Sequence, residues 1–144
     1  MSQAITLPCL CANVRRASRV LSQIYDDAMR PLGLRMTQAS ILQALSHTGE
    51  ILQGDLAELL GLDSTTLTRS IGILRKRGWI KARKGQDRRE RWLSLSRSGI
   101  AEHARIQPAW NAVQEQVRSK LGEESWRQLV RLSTEVANLP VPPA

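Results

Sequence analysis

The positively charged side chains of this chain are concentrated in one segment. Between Gly61 and Arg97 there are eleven lysines and arginines against three acids, Asp63, Asp87 and Glu90. That excess equals the formal net charge of the whole chain, +8, so the remaining residues are neutral in sum. A cationic patch of this density is typical of a surface that binds a polyanion, and double-stranded DNA is the first candidate.

Within the basic segment, a helix predicted from Asp63 to Gly78 separates its side chains into two faces. The buried side is expected to carry Leu67, Ser70, Ile71 and Leu74. Short hydroxyls approach base edges closely, and arginine can bond two acceptors of guanine. We therefore predict that the opposite side reads DNA, although ordinary helix capping and solvation would also explain its hydroxyls. The candidate contact residues on this helix are Ser64, Thr65, Thr66, Thr68, Arg69 and Lys76.

A basic turn follows the helix, between two predicted strands at Ile80–Lys84 and Arg91–Leu95. Such a hairpin can lie along the DNA backbone and place one arginine in a narrow minor groove, where the negative potential is enhanced. Asp87 would then orient an arginine instead of meeting DNA. A solvated hairpin tip is the alternative interpretation. The candidate DNA contacts of this hairpin are Lys84, Asp87, Arg88, Arg89 and Arg91.

The elements that must position these residues are mostly helical, so the predicted fold class is mainly α with a small β-hairpin. We expect Thr6 to cap a first helix with Pro8 in its first turn, Thr37 to cap a second helix, and Ser96 to cap a long helix that Pro108 bends or interrupts. Gly61 separates two further helices at the spacing of a helix-turn-helix. The remaining predicted elements are a possible strand at Ile51-Leu52, a short helix over 53–60 and a last helix over 123–138.

This pattern divides the chain into a central DNA-binding region, 35–98, and a helical region made of 1–34 plus 99–144. The terminal helices either pack on each other within one chain or form a subunit interface. We favour the interface, because long amphipathic helices around a small central unit usually need a second copy to cover their apolar stripes. No signal peptide or membrane span is recognisable, so a cytoplasmic protein without a membrane partner is expected.

The motifs resemble those of the MarR family of bacterial transcription regulators. Asp87-Arg88-Arg89 followed by Leu95-Ser96-x2-Gly99 is similar to the wing signature of that family, and the stretch from Leu56 to Ile80 looks like its helix-turn-helix. The resemblance implies a winged-helix homodimer that binds double-stranded DNA at a near-palindromic operator, and a repressor is the expected role. It also implies that Arg89 is the minor-groove arginine, that Asp87 orients it, and that 64–69 belong to the recognition helix.

Two cysteines near the N-terminus are the candidate redox sensor. Cys9 and Cys11 fall in the predicted first turns of the first helix, where the helix dipole favours a thiolate. The segment from Leu10 to Tyr25 resembles the organic-hydroperoxide-sensing (OhrR-like) branch of the family, which implies that Cys11 is reactive and that Tyr25 bonds it. Met36 stands where that branch has a second tyrosine. The alternative is that both cysteines are small buried hydrophobes in the helical region.

The resemblance offers a second kind of signal, a small aromatic or phenolic ligand in a crevice beside the dimer helices. Candidate lining residues are Leu21, Tyr25, Ile41 and Trp110. No cofactor is expected, and the isolated His47 and His103 do not make a zinc site. Enzyme motifs are absent from the sequence. The competing class is an architectural DNA-binding protein without sequence preference.

Overall fold

The computed structural model describes residues 5–143 and confirms the mainly helical fold with a small antiparallel sheet. The predicted region 1–34 plus 99–144 thus extends beyond the described residues at both ends. In chain order the elements are α1 Leu10–Met29, a 3-10 turn Arg30–Leu32, α2 Met36–Thr48, β1 Ile51–Leu52, α3 Gln53–Leu60, α4 Ser64–Lys76, β2 Ile80–Lys84, β3 Arg91–Leu95, α5 Arg97–Leu121 and α6 Glu123–Ala137.

The sheet has the order β1-β3-β2, so the hairpin is joined to the rest of the molecule through its second strand. Strand β3 pairs with all five residues of β2 but with only two residues of β1, Ile51 and Leu52. The predicted strand at Ile51-Leu52 is therefore real, and it pairs with Leu93 and Trp92 near the tip end of the hairpin ladder. Beyond Trp92 only the Lys84–Arg91 pair and the tip project, with no third strand of the described residues beside them.

The hydrophobic core lies in the central part of the chain, from α2 to β3, which we call the reading head (residues 36–95). Leucine and isoleucine side chains from α2, α3, α4 and β3 meet there with almost no exposure to solvent. Ile106 of α5 and Met29 of α1 complete the same core. The fully buried members are Met29, Ile41, Leu42, Leu45, Leu56, Leu67, Leu74, Leu93 and Ile106.

The other helices, α1, α5 and α6, form what we call the framing helices, and they bury far less. Only Met29 of α1 is buried, and no residue of α6 is. Apolar side chains remain open on both helices, including Leu10 at 71% and Leu139, just after α6, at 62% exposure. Within residues 5–143 no helix is long and apolar enough to cross a bilayer.

Two predicted helix caps were wrong, and one predicted interruption does not occur. Helix α1 begins at Leu10 with Cys9 as its N-cap, because the Asn13 amide bonds the backbone of Leu7 and Cys9 and folds the preceding chain over the helix end. Thr6 therefore does not cap it. Helix α5 continues through Pro108 without interruption.

The start of α2 is set by a distant carboxylate and not by Thr37. The N–H of Met36 donates to Oδ1 of Asp26, on α1, at 2.6 Å, and the N–H of Arg35 donates to Oε1 of Gln38 at 3.1 Å. Helix N-termini leave backbone donors without partners inside the helix, and these two acceptors satisfy them. Asp26 thus links α1 to the reading head.

Candidate nucleic-acid interface

Helix α4, which we call the reading helix, is fixed at its start by the predicted cap. Oδ1 of Asp63 accepts the N–H of Thr66 at 2.8 Å, and Oδ2 accepts the Thr66 hydroxyl at 2.6 Å. These hydrogen bonds from Thr66 hold the pKa of the Asp63 carboxyl below its ordinary value. The face with Leu67, Ile71 and Leu74 is buried against the core, so the opposite face is turned to solvent.

The hydroxyls of that outward face differ in their availability. The Thr66 hydroxyl is committed to Asp63, and the Thr68 hydroxyl accepts a hydrogen bond from Nε2 of Gln53, on α3, at 3.2 Å. Ser64 and Thr65 are exposed, and within residues 5–143 their hydroxyls have no hydrogen-bond partner. The side chains most available to a ligand on this helix are thus Ser64, Thr65 and Arg69.

The hairpin, which we call the wing, has the predicted strands at Ile80–Lys84 and Arg91–Leu95. Its tip, residues 85–90, closes through the N–H of Gly85 on the carbonyl of Glu90 and the N–H of Glu90 on the carbonyl of Asp87. The Asp87 carboxylate accepts the backbone N–H of Arg89 at 3.0 Å. Asp87 therefore shapes the backbone beneath Arg89, whereas the expectation was that it would orient the guanidinium.

Two of the eleven cations in the basic segment are occupied by partners within the protein. Nη1 of Arg77 donates to the carbonyl of Gly33 at 3.0 Å, and its guanidinium lies 5.0 Å from the ring centroid of Trp79. Arg83 pairs with Glu50. The other nine are exposed and have no side-chain partner in the described part of the chain: Arg69, Arg75, Lys76, Lys81, Lys84, Arg88, Arg89, Arg91 and Arg97.

A cleft of about 430 Å³ separates the reading helix from the wing. Ser64 and Leu67 line one side, Arg89 and Arg91 line the other, and the start of α3 forms the floor. The structure therefore brings the first residues of the reading helix and the arginines of the wing to the two sides of one concave surface. A convex polyanion presented to this surface meets the hydroxyl of Ser64 on one side and two arginines of the wing on the other, while Asp55 and Glu90 also line the cleft.

The wing is joined to α5 by a cluster of backbone contacts. The hydroxyls of Ser96 and Ser98 both donate to the carbonyl of Gly78, at 2.5 and 2.7 Å, and the N–H of Ser96 donates to the carbonyl of Trp79. A Cβ on Gly99 would lie 1.9 Å from that Trp79 carbonyl oxygen, so only glycine fits. The Leu95-Ser96-x2-Gly99 motif therefore has a structural role: it fixes the end of the reading helix against the start of α5.

Beside the reading head, the framing helices enclose a cavity of about 550 Å³. The Tyr25 ring meets Trp110 edge to face at 5.2 Å, and its hydroxyl donates to Oε1 of Gln114. Burial raises the pKa of this phenol. Leu21, Tyr25 and Trp110 line the cavity together with Met36, but Ile41 does not, because its side chain is wholly buried in the core of the reading head.

Both cysteines are free thiols that are exposed in the single chain, so the alternative that they are buried hydrophobes would require a second copy to cover them. Cys9 precedes helix α1 and Cys11 lies in its first turn. Tyr25 is fourteen residues from Cys11 on the same helix, which is about 21 Å at 1.5 Å per residue. A tyrosine that bonds Cys11 would therefore have to come from a second copy of the chain.

Sequence reasoning missed the residues that act across long separations. These residues are Asp26, Glu50, Gln53 and Arg77. One signal was available for Arg83, since the predicted hairpin register places it opposite Trp92. Nothing in the sequence indicates the partners of the other four.

Comparisons with known proteins agree on the class of this chain. Residues 32–90 match the sequence model described as MarR family. An uncharacterized HTH-type transcriptional regulator of Bacillus subtilis, YwoH, is 27% identical over 97 residues, which are 67% of this chain and 71% of that protein. The Mycobacterium tuberculosis regulator MosR, solved in complex with DNA, is 34% identical, with a TM-score of 0.73 over 91% of this chain and 99% of that one. A mutant MarR of Escherichia coli, solved with operator DNA, has the same fold, with a TM-score of 0.76 at 20% identity over 91% of this chain and 94% of that one.

Proposed function

The chain belongs to the MarR family of transcriptional regulators, which are DNA-binding proteins and not enzymes, and we propose that it is a homodimeric repressor. In this proposal the dimer binds a near-palindromic operator, and a small molecule or an oxidant that reaches the framing helices releases it. The observation that carries the proposal is the concave surface between the reading helix and the wing, where the exposed Ser64 lies across the cleft from the unpaired Arg89 and Arg91.

Each part of that surface has a distinct role in the proposal. Ser64, Thr65 and Arg69 enter the major groove, with Thr66 and Thr68 supporting them from the same helix. Arg89 enters the adjacent minor groove from the wing, over the turn that Asp87 shapes. The backbone phosphates are held by Lys76, Lys84, Arg88 and Arg91, and these contacts release counterions and make binding depend on salt.

The dimer follows from the apolar surface that the framing helices leave open. Single exposed hydrophobic residues are ordinary, but a continuous stripe usually marks an interaction site. On α6, Leu129, Leu132, Val136 and Leu139 recur at spacings of three and four, and all are exposed in one chain. We infer that a second copy covers this stripe, with 35–98 as the DNA-binding region and 1–34 plus 99–144 as the dimerisation region.

The direct test is Arg89→Ala, measured by fluorescence anisotropy on a duplex from the promoter upstream of its own gene. We expect operator affinity to fall by about 10- to 100-fold, because a lost groove contact is worth roughly 1–3 kcal/mol. Binding to an unrelated duplex should change much less, and the protein should remain a folded dimer. Unchanged operator affinity would show that the wing has been assigned wrongly.

Arg88→Ala is the matched control, because it removes the same charge one residue away. A phosphate contact weakens all sequences alike, so this variant should lower operator and unrelated affinity by the same factor and reduce the salt slope by about one. If the wild-type protein binds operator and unrelated DNA equally at one salt concentration, the architectural alternative is correct instead.

For the signal we propose an aromatic or phenolic ligand in the cavity beside Tyr25 and Trp110. The cavity of about 550 Å³ is within the range of small-molecule sites and combines apolar walls with a few polar groups. Quenching of tryptophan fluorescence by such compounds, lost when Leu21→Trp fills the cavity, is the expected result. Operator release by an organic hydroperoxide, abolished in Cys11→Ser, would instead identify the exposed thiol as the sensor.

A further inference from the structure

One side chain of the basic segment, Arg83, forms an ion pair within the protein, although its side chain remains 56% exposed. Its Nε donates to Oε2 of Glu50 at 2.9 Å, and its Nη2 donates to Oε1 of the same carboxylate. The guanidinium also lies 5.1 Å from the ring centroid of Trp92, the residue paired with Arg83 across the hairpin. We call Glu50, Arg83 and Trp92 the brace.

The brace crosses the whole width of the sheet. Glu50 immediately precedes β1, Trp92 is on the central strand β3, and Arg83 is on the outer strand β2. Neighbouring strands lie about 4.8 Å apart, so an arginine on β2 that bonds a group beside β1 spans roughly 10 Å over the face of β3. All three strands are thereby tied one residue pair before the tip of the wing.

This tie is needed because the other connection of the wing at this edge is slight. Strand β1 contributes only two residue pairs to β3. A bidentate arginine–carboxylate pair fixes both the distance between the two groups and the plane of the guanidinium. Stacking on an indole constrains that plane further. The Glu50 carboxylate is held ionised, since the Arg83 guanidinium lowers its pKa and in turn has its own pKa raised. An exposed ion pair adds little to folding stability, so the expected effect of this pair is to hold the three strands in a fixed arrangement.

We propose that the brace sets the angle between wing and reading helix, and that Arg83 is a positioning residue which does not itself bind phosphate. The inference rests on the proposed DNA binding and deepens it: the reach of Arg89 and Arg91 into DNA depends on a carboxylate, Glu50, that never touches DNA.

The sign of the effect of Glu50→Gln separates this proposal from simple electrostatics. Removing an acid from a DNA-facing surface should raise affinity if only charge matters. We expect the opposite, a fall in affinity for the promoter duplex of the order of threefold to tenfold, because a loosened wing weakens a groove contact. A rise in affinity, or a salt slope that steepens because freed Arg83 reaches a phosphate, overturns the proposal.

Variants at Arg83 provide the second arm. Arg83→Lys keeps the charge but cannot form the bidentate pair, so it should lose as much operator affinity as Arg83→Gln. Neither should change the salt slope, whereas Lys84→Gln, the matched control on the next residue, should reduce it by about one. Full affinity in Arg83→Lys, or a reduced slope in Arg83→Gln, contradicts the proposal.

The double variant Glu50→Gln with Arg83→Gln tests whether the two residues act as one unit. Its affinity should equal that of either single variant, since residues acting together show non-additive effects; independent losses would contradict the brace. Failure of the wild-type protein to prefer its promoter duplex would instead refute the proposed function, so the two failures are distinguishable.

Discussion

The reading head and the framing helices differ in how much of their apolar surface they bury within one chain. The reading head closes its core within one chain, with Met29 of α1 and Ile106 of α5 completing it: five residues of α2 are buried, and Leu42 and Leu56 have no exposure. Helix α6 is of similar length and buries none. The difference shows that one chain is enough to build the DNA-facing surface but not to cover the helices around it.

Charge is also distributed differently in the two regions. Eight of the nine unpaired cations of the basic segment lie on the reading head and its wing, and the ninth, Arg97, lies at the start of α5. Helix α6 matches its arginines with acids in Arg127–Glu124 and Arg131–Glu135, and Arg118 of α5 pairs with Glu123. Exposed pairs of this kind add little stability. The attraction for a polyanion is therefore densest along the basic segment, whereas α6 offers apolar contact for association.

The largest effect is expected from disrupting the apolar stripe on α6, which tests whether the framing helices need a second copy of the chain. Leu132→Lys with Val136→Lys places charge where a second copy is proposed to pack, so sedimentation should show monomers. Operator affinity should fall by about 10²–10⁴, because the second half-site is no longer bound by the same particle.

Asn138→Lys is the control for that experiment. Asn138 is the exposed C-cap of α6, about 100° around the helix from Leu139, and a lysine at a helix C-terminus is favoured by the helix dipole. This variant should remain dimeric and retain its affinity. A dimer that survives the double substitution would show that the interface lies elsewhere.

A second substitution sharpens the comparison within the reading head. Leu42→Ala removes a fully buried side chain and should lower the free energy of unfolding by about 2–5 kcal/mol. Leu59→Ala, on the exposed side of α3, should cost far less. Denaturant titration of both variants at one protein concentration measures the difference, and equal losses would mean that the reading head is not closed as described.

The smallest effect concerns the cap of the reading helix and its dependence on pH. The pKa of Asp63 is lowered from about 3.8 by hydrogen bonds from Thr66, so its stabilisation is complete above that value and is lost as pH falls through the lowered pKa. Asp63→Ala should therefore lower the melting temperature by a few degrees at pH 7, and the difference should shrink in acid. Asp63→Asn, which keeps an acceptor that does not titrate, should melt close to the wild type at pH 7. A gap between wild type and Asp63→Ala that does not change with pH would exclude the ionised cap.

The local elements of the reading head were predictable because their causes are local. The alternation of side chains and the turn between them predicted both wing strands with the observed bounds. Asp63 caps α4 and Ser96 caps α5, as expected. The partners of Asp26 and Arg83 were not predictable, since those hydrogen bonds join residues 10 and 33 positions apart. The lining of the cavity was also only partly predictable. The helix pattern indicates that Ile41 is buried, but not whether its side chain packs in the core of the reading head or lines the cavity.

The uninterrupted course of α5 has a mechanical consequence. Its first turn is locked to the end of the reading helix through Gly99 and Trp79, and its 25 residues extend about 37 Å into the framing region. A rigid rod of that length is a lever: a tilt of about 5° at one end moves the other by roughly 3 Å, about the length of a hydrogen bond. With glycine at the fulcrum and no break at Pro108, a displacement of a few Å among the framing helices reaches the DNA-facing surface as a rotation and is not absorbed along the helix.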